Sequence, residues 1–251
     1  MNLYNKNYFK WKEKMNDIKK LIKNTIVQIL EDNKTDALIK KIVKKHDEKV
    51  HFIPFRYRVF GGFLQSLNIQ FGNFIEVLIH DIVKTEKNIE IVKEVSGIKN
   101  TNLKISIESD KLIDEYITDQ QNNFDNNHLS NKFIELQKQI IKNEKHSQNI
   151  VSYKHDVDIC FYSKLTGKYF YVEIKYNDDH DTGKFVDINR KFLKTYAGLV
   201  NHFKVNDINT FKPILYYFTK KIMKGNIYIP ETTNIYRGDK LFSEFFKTIT
   251  Y

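Results

Sequence analysis

The stretch that decides the fold is HDVDICFYSKLTGKYFYVEIKY, residues 155–176. Val157–Tyr162 and Tyr169–Tyr176 are rich in β-branched and aromatic residues and flank Leu165, Thr166 and Gly167, a signal for two antiparallel strands joined by a turn. Side chains alternate across a strand, so Tyr171, Glu173 and Lys175 share one face while Val172, Ile174 and Tyr176 point the other way into apolar packing. Asp158 stands near the start of the first strand. Two carboxylates and a lysine therefore converge on one point.

Such a convergence suits metal-assisted phosphodiester hydrolysis. Oxygen donors from Asp158 and Glu173, with the Ile174 carbonyl as a further oxygen, match the preference of Mg²⁺ for hard ligands and retained waters. A bound ion acidifies its water and neutralises charge on the scissile phosphate, and Lys175 is placed to orient that water or to stabilise the developing charge. The competing reading is an ordinary cross-strand ion pair, since Glu-x-Lys triplets are common in a lysine-rich chain.

Outward from the hairpin, helical periodicity dominates the flanks. Residues 3–31 read as an amphipathic helix with Phe9, Met15, Ile18, Ile22, Ile26 and Leu30 on one face, and Asp36–Lys45 reads as a second. Phe55–Lys84 is a longer helix whose buried stripe includes Phe60, Phe63, Leu67, Phe71 and Leu78; Asn68, Gly72, Glu76 and His80 step down a neighbouring face. Asp110–Gln121, Ser130–Lys145 and Lys184–Phe203 are also helical in pattern. Pro213–Thr219 and Asn226–Ile229 read as further strands, and Asp239 as the N-cap of a last helix ending near Ile249. The order predicts an α/β fold, a mixed β-sheet flanked by helices, with a helical N-terminal extension over residues 1–50 and one domain over 51–251.

Composition sets the outer bounds. The 251 residues carry 41 Lys and Arg against 31 Asp and Glu, a formal charge of +10 that points to a polyanionic partner. That charge is uneven: residues 1–50 are +6, 51–150 are −1 and 151–251 are +5, so both ends are basic. A single cysteine, Cys160, excludes an intramolecular disulfide and any cysteine-based zinc site, and reads as a packing residue. With no apolar run of about 18 residues and no apolar leader, the chain is expected to be cytoplasmic and without a membrane partner.

The spacing Asp158–(fourteen residues)–Glu173-Ile174-Lys175, behind a helix carrying Glu76 in FGNFIE, resembles the PD-(D/E)XK nuclease superfamily. Val157 stands where the proline of that name would be, and the resemblance leaves Asp156 and Asp158 as alternative ligands, with Asp158 favoured because Ile159 and Phe161 follow it in the strand. The stretches GGFLQSLNIQFGNFIE (61–76), HDVDICF and VEIKYNDDHDTGKFVDINRKFLKTYAGL (172–199) are similar to type II restriction endonucleases, in particular the group typified by TdeIII, over about residues 55–245. The resemblance implies a restriction-endonuclease-like core and a catalytic set of Asp158, Glu173, Lys175 and Glu76, with the three acids holding metal. It implies Mg²⁺ as cofactor, with Mn²⁺ able to substitute, and double-stranded DNA cut in both strands at a short palindrome by a homodimer. A DNA methyltransferase would be the genetic partner in a prokaryotic cell, and the TdeIII group suggests an interrupted site such as GGNCC. Two alternatives rest on the same residues: a repair or junction-resolving nuclease, and a catalytically inactive DNA-binding module.

Other charged residues extend the expectation. Lys184, Arg190, Lys191 and Lys194 lie on one side of the 184–203 helix, where they can face a phosphate backbone or simply solvent. Arg237 in NIYRGD, near Lys220, Lys221 and Lys224, is the candidate reader of guanine in the major groove. Asp178, Asp179, His180 and Asp181 follow the catalytic strand as either support for the metal site or a charged turn.

Overall fold

The computed structural model describes residues 36–47, 51–178 and 181–247, together with 19, 20, 22–24, 26, 27 and 31 of the N-terminal stretch, where the backbone is helical. The rest of the expected N-terminal helix, Asp179, His180 and residues 248–251 lie outside the described residues. Two units are distinguished, 1–78 and 79–251.

In the first unit, α1 (Asp36–Asp47) packs on α2 (Phe55–Thr85), whose last residues belong to the second unit. The approach is close at Gly62: a Cβ there would meet His46 Nε2 at 2.9 Å and Ile42 Cγ2 at 3.0 Å. Arg58 Nη1 donates to the His46 carbonyl at 2.7 Å and so ties the end of α1 down.

The second unit holds a five-stranded sheet in the order β1-β4-β5-β6-β7: β1 (Ile89–Ile91), β4 (Ile159–Ser163), β5 (Lys168–Lys175), β6 (Phe211–Tyr217) and β7 (Ile235–Arg237). The β1–β4 and β4–β5 pairs are antiparallel and the β5–β6 and β6–β7 pairs parallel, as a mixed sheet requires. A separate two-stranded ribbon joins β2 (Ile98–Ser106) to β3 (Ile150–Val157). Between them in sequence lie α3 (Ile107–Asn122) and α4 (Leu129–His146); α5 (Thr182–Phe203) connects β5 to β6, and α6 (Lys240–Phe245) closes the described chain.

Local chemistry sets the boundaries. Ser106 caps α3 by accepting from Ser109 N–H at 3.1 Å, and Asp181 caps α5 by accepting from Lys184 N–H at 2.8 Å. The β4–β5 turn closes on Gly167 at φ +67°, a conformation that suits glycine. Phe192, Leu193, Tyr196 and Leu199 of α5 enter one buried cluster with Leu103 and Ile105 of β2, Ile113 and Ile117 of α3, Phe133 and Ile140 of α4, and Tyr171, Phe211 and Leu215 of the sheet. Gly198 lets α5 lie against β2, because a Cβ there would stand 2.7 Å from Leu103 Cβ.

Three sequence expectations need correction. Asn226–Ile229 is not a strand: Asn226 Oδ1 accepts from the N–H groups of Tyr228 (2.9 Å) and Ile229 (3.0 Å), an Asn-centred turn, and the strand lies at Ile235–Arg237 instead. The last helix ends at Phe245 rather than near Ile249. The ribbon β2–β3 and the short β1 had no counterpart in the reading of periodicity.

Candidate active site

Asp158 occupies the residue between β3 and β4, where the chain leaves the ribbon for the five-stranded sheet. The β4–β5 register pairs Ile159 with Val172, so continuing it by one step sets Asp158 opposite Glu173. Asp158 Oδ2 accepts from the Ile174 N–H at 2.7 Å, which holds the carboxylate beside β5. Asp156 is engaged elsewhere: its Oδ1 accepts from Asn100 N–H at 2.7 Å in the β2–β3 ribbon.

Along β5, the alternation expected from sequence becomes a hydrogen-bonded chain. Tyr171 OH donates to Glu173 Oε2 at 2.7 Å, and Lys175 Nζ donates to Glu173 Oε1 at 2.6 Å and to the Ile174 carbonyl at 3.0 Å. Lys175 Nζ also lies 3.8 Å from Asp158 Oδ2. The two acid side chains are only 6% and 5% exposed, against 24% for Lys175, so the cluster opens to solvent on the lysine side.

Burial by itself would raise the Glu173 pKa. The charges of Lys175 and His155 and the bonds from Lys175 and Tyr171 outweigh it and hold the carboxyl below its ordinary range. Burial, with the Glu173 charge next in weight, pushes the Tyr171 phenol well above its usual value, so it stays a donor. Underneath, Tyr171 stacks on Phe192 of α5 at 5.4 Å, and His155 Nδ1 lies 3.0 Å from Thr195 Oγ1 of the same helix. His155 and Thr195 carry no sequence signal of their own, and the sequence places Tyr171 on the Glu173 face without a role. The signal for Tyr171 was there, in its position two residues before Glu173 on the same face.

The remaining expected residues fall elsewhere. Glu76 lies half-buried on α2, in the first unit. Among the described residues, no three His, Cys, Asp or Glu side chains are gathered to hold a metal ion. Lys184 is exposed in the first turn of α5. Arg190 Nε pairs with Asp114 at 2.9 Å, Lys194 with Asp110 at 2.7 Å and Asp114 at 3.1 Å, and Lys191 with Asp187 at 2.8 Å. Arg190 and Lys194 thus tie α5 to α3.

Arg237 is committed inside the protein rather than displayed. Its Nη2 and Nε contact Glu231 at 2.6 Å and 3.2 Å, and its Nη1 donates to Asp178 Oδ2 at 2.8 Å; the side chain is 10% exposed and Asp178 fully buried. The other oxygen of Asp178 accepts from Met223 N–H at 2.8 Å. Of the acidic run after β5, Asp178 is thus a clamp and Asp181 a helix cap, while Asp179 and His180 are outside the described residues.

With this geometry in place, comparison with known proteins is informative. The family model of the type II restriction endonuclease HinfI matches residues 14–251. The chain belongs to this family. The type II restriction enzyme HinfI of Haemophilus influenzae is 48% identical over 234 residues, which cover 93% of this chain and 87% of the relative. No solved structure matches.

Membership of the HinfI family makes the protein an endodeoxyribonuclease, with site-specific cleavage of DNA in restriction–modification as its function and a divalent metal ion as the general requirement of its class. The restriction-endonuclease resemblance holds. The matching family model and relative are those of HinfI. No helix among the described residues is long and apolar enough to cross a membrane.

Proposed function

We propose that the protein is a Mg²⁺-dependent type II restriction endonuclease that hydrolyses both strands of duplex DNA at a short palindromic site, with Asp158, Glu173 and Lys175 as its catalytic cluster. The observation that carries this reading is the convergence of Lys175 Nζ on both acids, at 2.6 Å from Glu173 and 3.8 Å from Asp158. The donor set fits a hard divalent cation: two carboxylates and a neighbouring backbone carbonyl, all oxygen, with one lysine leaving the cluster a net negative charge. Asp158 and Glu173 would hold the ion, which when bound supplies an acidified water and neutralises charge on the phosphate.

The chain's own groups do the rest. Tyr171 fixes the Glu173 carboxylate by donating to Oε2, and the depressed pKa of Glu173 keeps it ionised at neutral pH. Asp158 is oriented by the Ile174 N–H. Lys175, the most exposed member, presents its ammonium to the attacking water and the phosphate. Glu76 as a third acid rests on the resemblance alone; Glu76→Gln is expected to slow cleavage and raise the Mg²⁺ concentration that gives half-maximal rate.

Lys184, Arg190, Lys191 and Lys194 are proposed phosphate contacts, and Arg237 is read as a brace because its donors face Glu231 and Asp178. A two-fold palindrome is best matched by a two-fold homodimer. The protein would work in a prokaryotic cytoplasm beside a methyltransferase that protects the same site, with Mn²⁺ able to replace Mg²⁺.

Purified protein incubated with unmethylated DNA of known sequence and Mg²⁺ should give discrete fragments whose mapped ends define site and cut position. Random nicking, or discrete cutting retained by Glu173→Ala or Lys175→Ala, overturns the assignment.

A further inference from the structure

Beyond the end of the catalytic strand, the segment after β6 is built onto the active site. Phe218 N–H donates to the Lys175 carbonyl at 2.8 Å and Thr219 N–H to the Tyr176 carbonyl at 3.0 Å. The chain then turns outward through Lys220, Lys221, Ile222, Met223 and Lys224 before Asn226 pins the following turn. This turn is held from beneath: the fully buried Asp178 binds Met223 N–H through one oxygen and Arg237 through the other. Lys220 is tethered to Asp239 at 2.9 Å, and Lys224 lies over the Phe185 ring at 5.8 Å.

What this scaffold displays is apolar. Ile222 is 60% and Met223 40% exposed, side by side between three lysines. Burying a carboxylate and a guanidinium is costly unless both are fully bonded, and here one Asp178 oxygen is used to hold the backbone of the turn at Met223. Lys175, Tyr217 and Arg237 are in register on neighbouring strands. At about 4.8 Å per strand, the clamp lies about 10 Å from the catalytic lysine, a distance of about three base pairs along a duplex.

We propose that the Lys220–Lys224 turn reads base edges of the DNA site, Ile222 and Met223 making apolar contact in a groove while Lys221 meets the flanking phosphate, with the Asp178–Arg237 clamp fixing the turn against the catalytic strand. The occupant is duplex DNA because the apolar pair is flanked in sequence by Lys220, Lys221 and Lys224, on a segment that is hydrogen-bonded, through Phe218, to the strand that carries Glu173 and Lys175. Apolar side chains recognise a thymine methyl in the major groove or wedge between base steps in the minor groove.

This inference rests on the assignment of Glu173 and Lys175, and the experiment keeps the two apart. Cleavage by the wild-type enzyme tests that assignment. The turn is tested by the ratio of kcat/KM on the mapped site to kcat/KM on duplexes altered at one base pair. Ile222→Ser/Met223→Ser should lower that ratio about tenfold with an unchanged melting temperature. Lys221→Gln should weaken binding to all duplexes alike and reduce the salt slope by about one. Leu165→Ser, which changes a similarly exposed apolar residue in the β4–β5 turn, should leave the ratio within twofold. A double variant that keeps its ratio within twofold, or a Leu165→Ser protein that loses it equally, overturns the proposal.

Discussion

Two ionic clusters flank the end of β5, each made of two carboxylates and one cation. In the first, Asp158 and Glu173 share Lys175; in the second, Asp178 and Glu231 share Arg237. The second is saturated. Arginine's planar fork takes Glu231 through two nitrogens and Asp178 through a third, and the remaining Asp178 oxygen is satisfied by Met223 N–H. The first keeps a partly exposed ammonium on a flexible stem, whose 3.8 Å separation from Asp158 is longer than a hydrogen bond. The same composition therefore gives a buried rivet in one place and, in the other, a cluster that opens to solvent at its cation, as the proposed catalytic role requires.

The strongest break of this comparison lies in activity. Glu173→Ala, Asp158→Ala or Lys175→Ala should lower the cleavage rate at least about a thousandfold, the scale at which removing a preorganised electrostatic group acts, while Glu173→Ala and Asp158→Ala, each leaving the other carboxylate beside Lys175, move the urea midpoint little. Arg237→Ala should do the reverse in kind, costing about 3–5 kcal/mol of stability because Asp178 is left buried and uncompensated, and Asp178→Ala should cost less because Arg237 keeps Glu231. Equilibrium denaturation of the five single variants checks both halves. If Glu173→Ala destabilises as much as Asp178→Ala, the two clusters are not different in kind.

A smaller effect tests the platform beneath the first cluster. Thr195, beside His155, and Gly198 are both on α5, and an alanine Cβ at 198 would stand 2.7 Å from Leu103 Cβ and 3.1 Å from its Cδ1. Overpacking of this kind costs about 1–3 kcal/mol, whereas Gly→Ala inside a helix returns about 1 kcal/mol. The packing term wins because the clashing atom is a Cβ on a strand and cannot swing away. Gly198→Ala should lose about 1–2 kcal/mol in the same denaturation assay, and a stabilised variant would show that α5 is free to lift from β2.

The two clusters were unequally legible in the sequence. Alternation along VEIKY and the hairpin register were enough to bring Glu173, Lys175 and Asp158 together, because both are local rules with period two. The rivet depends on contacts 59 residues apart, between Asp178 and Arg237, and nothing local distinguishes an arginine bound for a buried and a half-buried acid from one bound for solvent. The ribbon was missed for a related reason: IKNTNLKIS is rich in lysine and asparagine, which strands disfavour, and it is held by β3 and by the burial of Leu103 and Ile105 under α5. Asn226–Ile229 misled in the other direction, its aromatic and β-branched residues being packed around a side-chain-capped turn.

The finest distinction between the clusters is in titration. Glu173 has a folded pKa below its ordinary value of 4.5, Lys175 and His155 outweighing the cost of burial. A depressed carboxylate contributes stability that is fully present above the unfolded pKa and is lost as pH falls through the folded one. The stability difference between wild type and Glu173→Gln should therefore be constant from about pH 8 to pH 5 and shift against the wild type only at pH values below about 4.5. Urea denaturation of both proteins at successive pH values reads it directly. A difference that changes between pH 7 and pH 5 would mean that burial outweighs Lys175 and His155, leaving Glu173 partly protonated at the pH where its proposed role as a metal ligand needs the carboxylate.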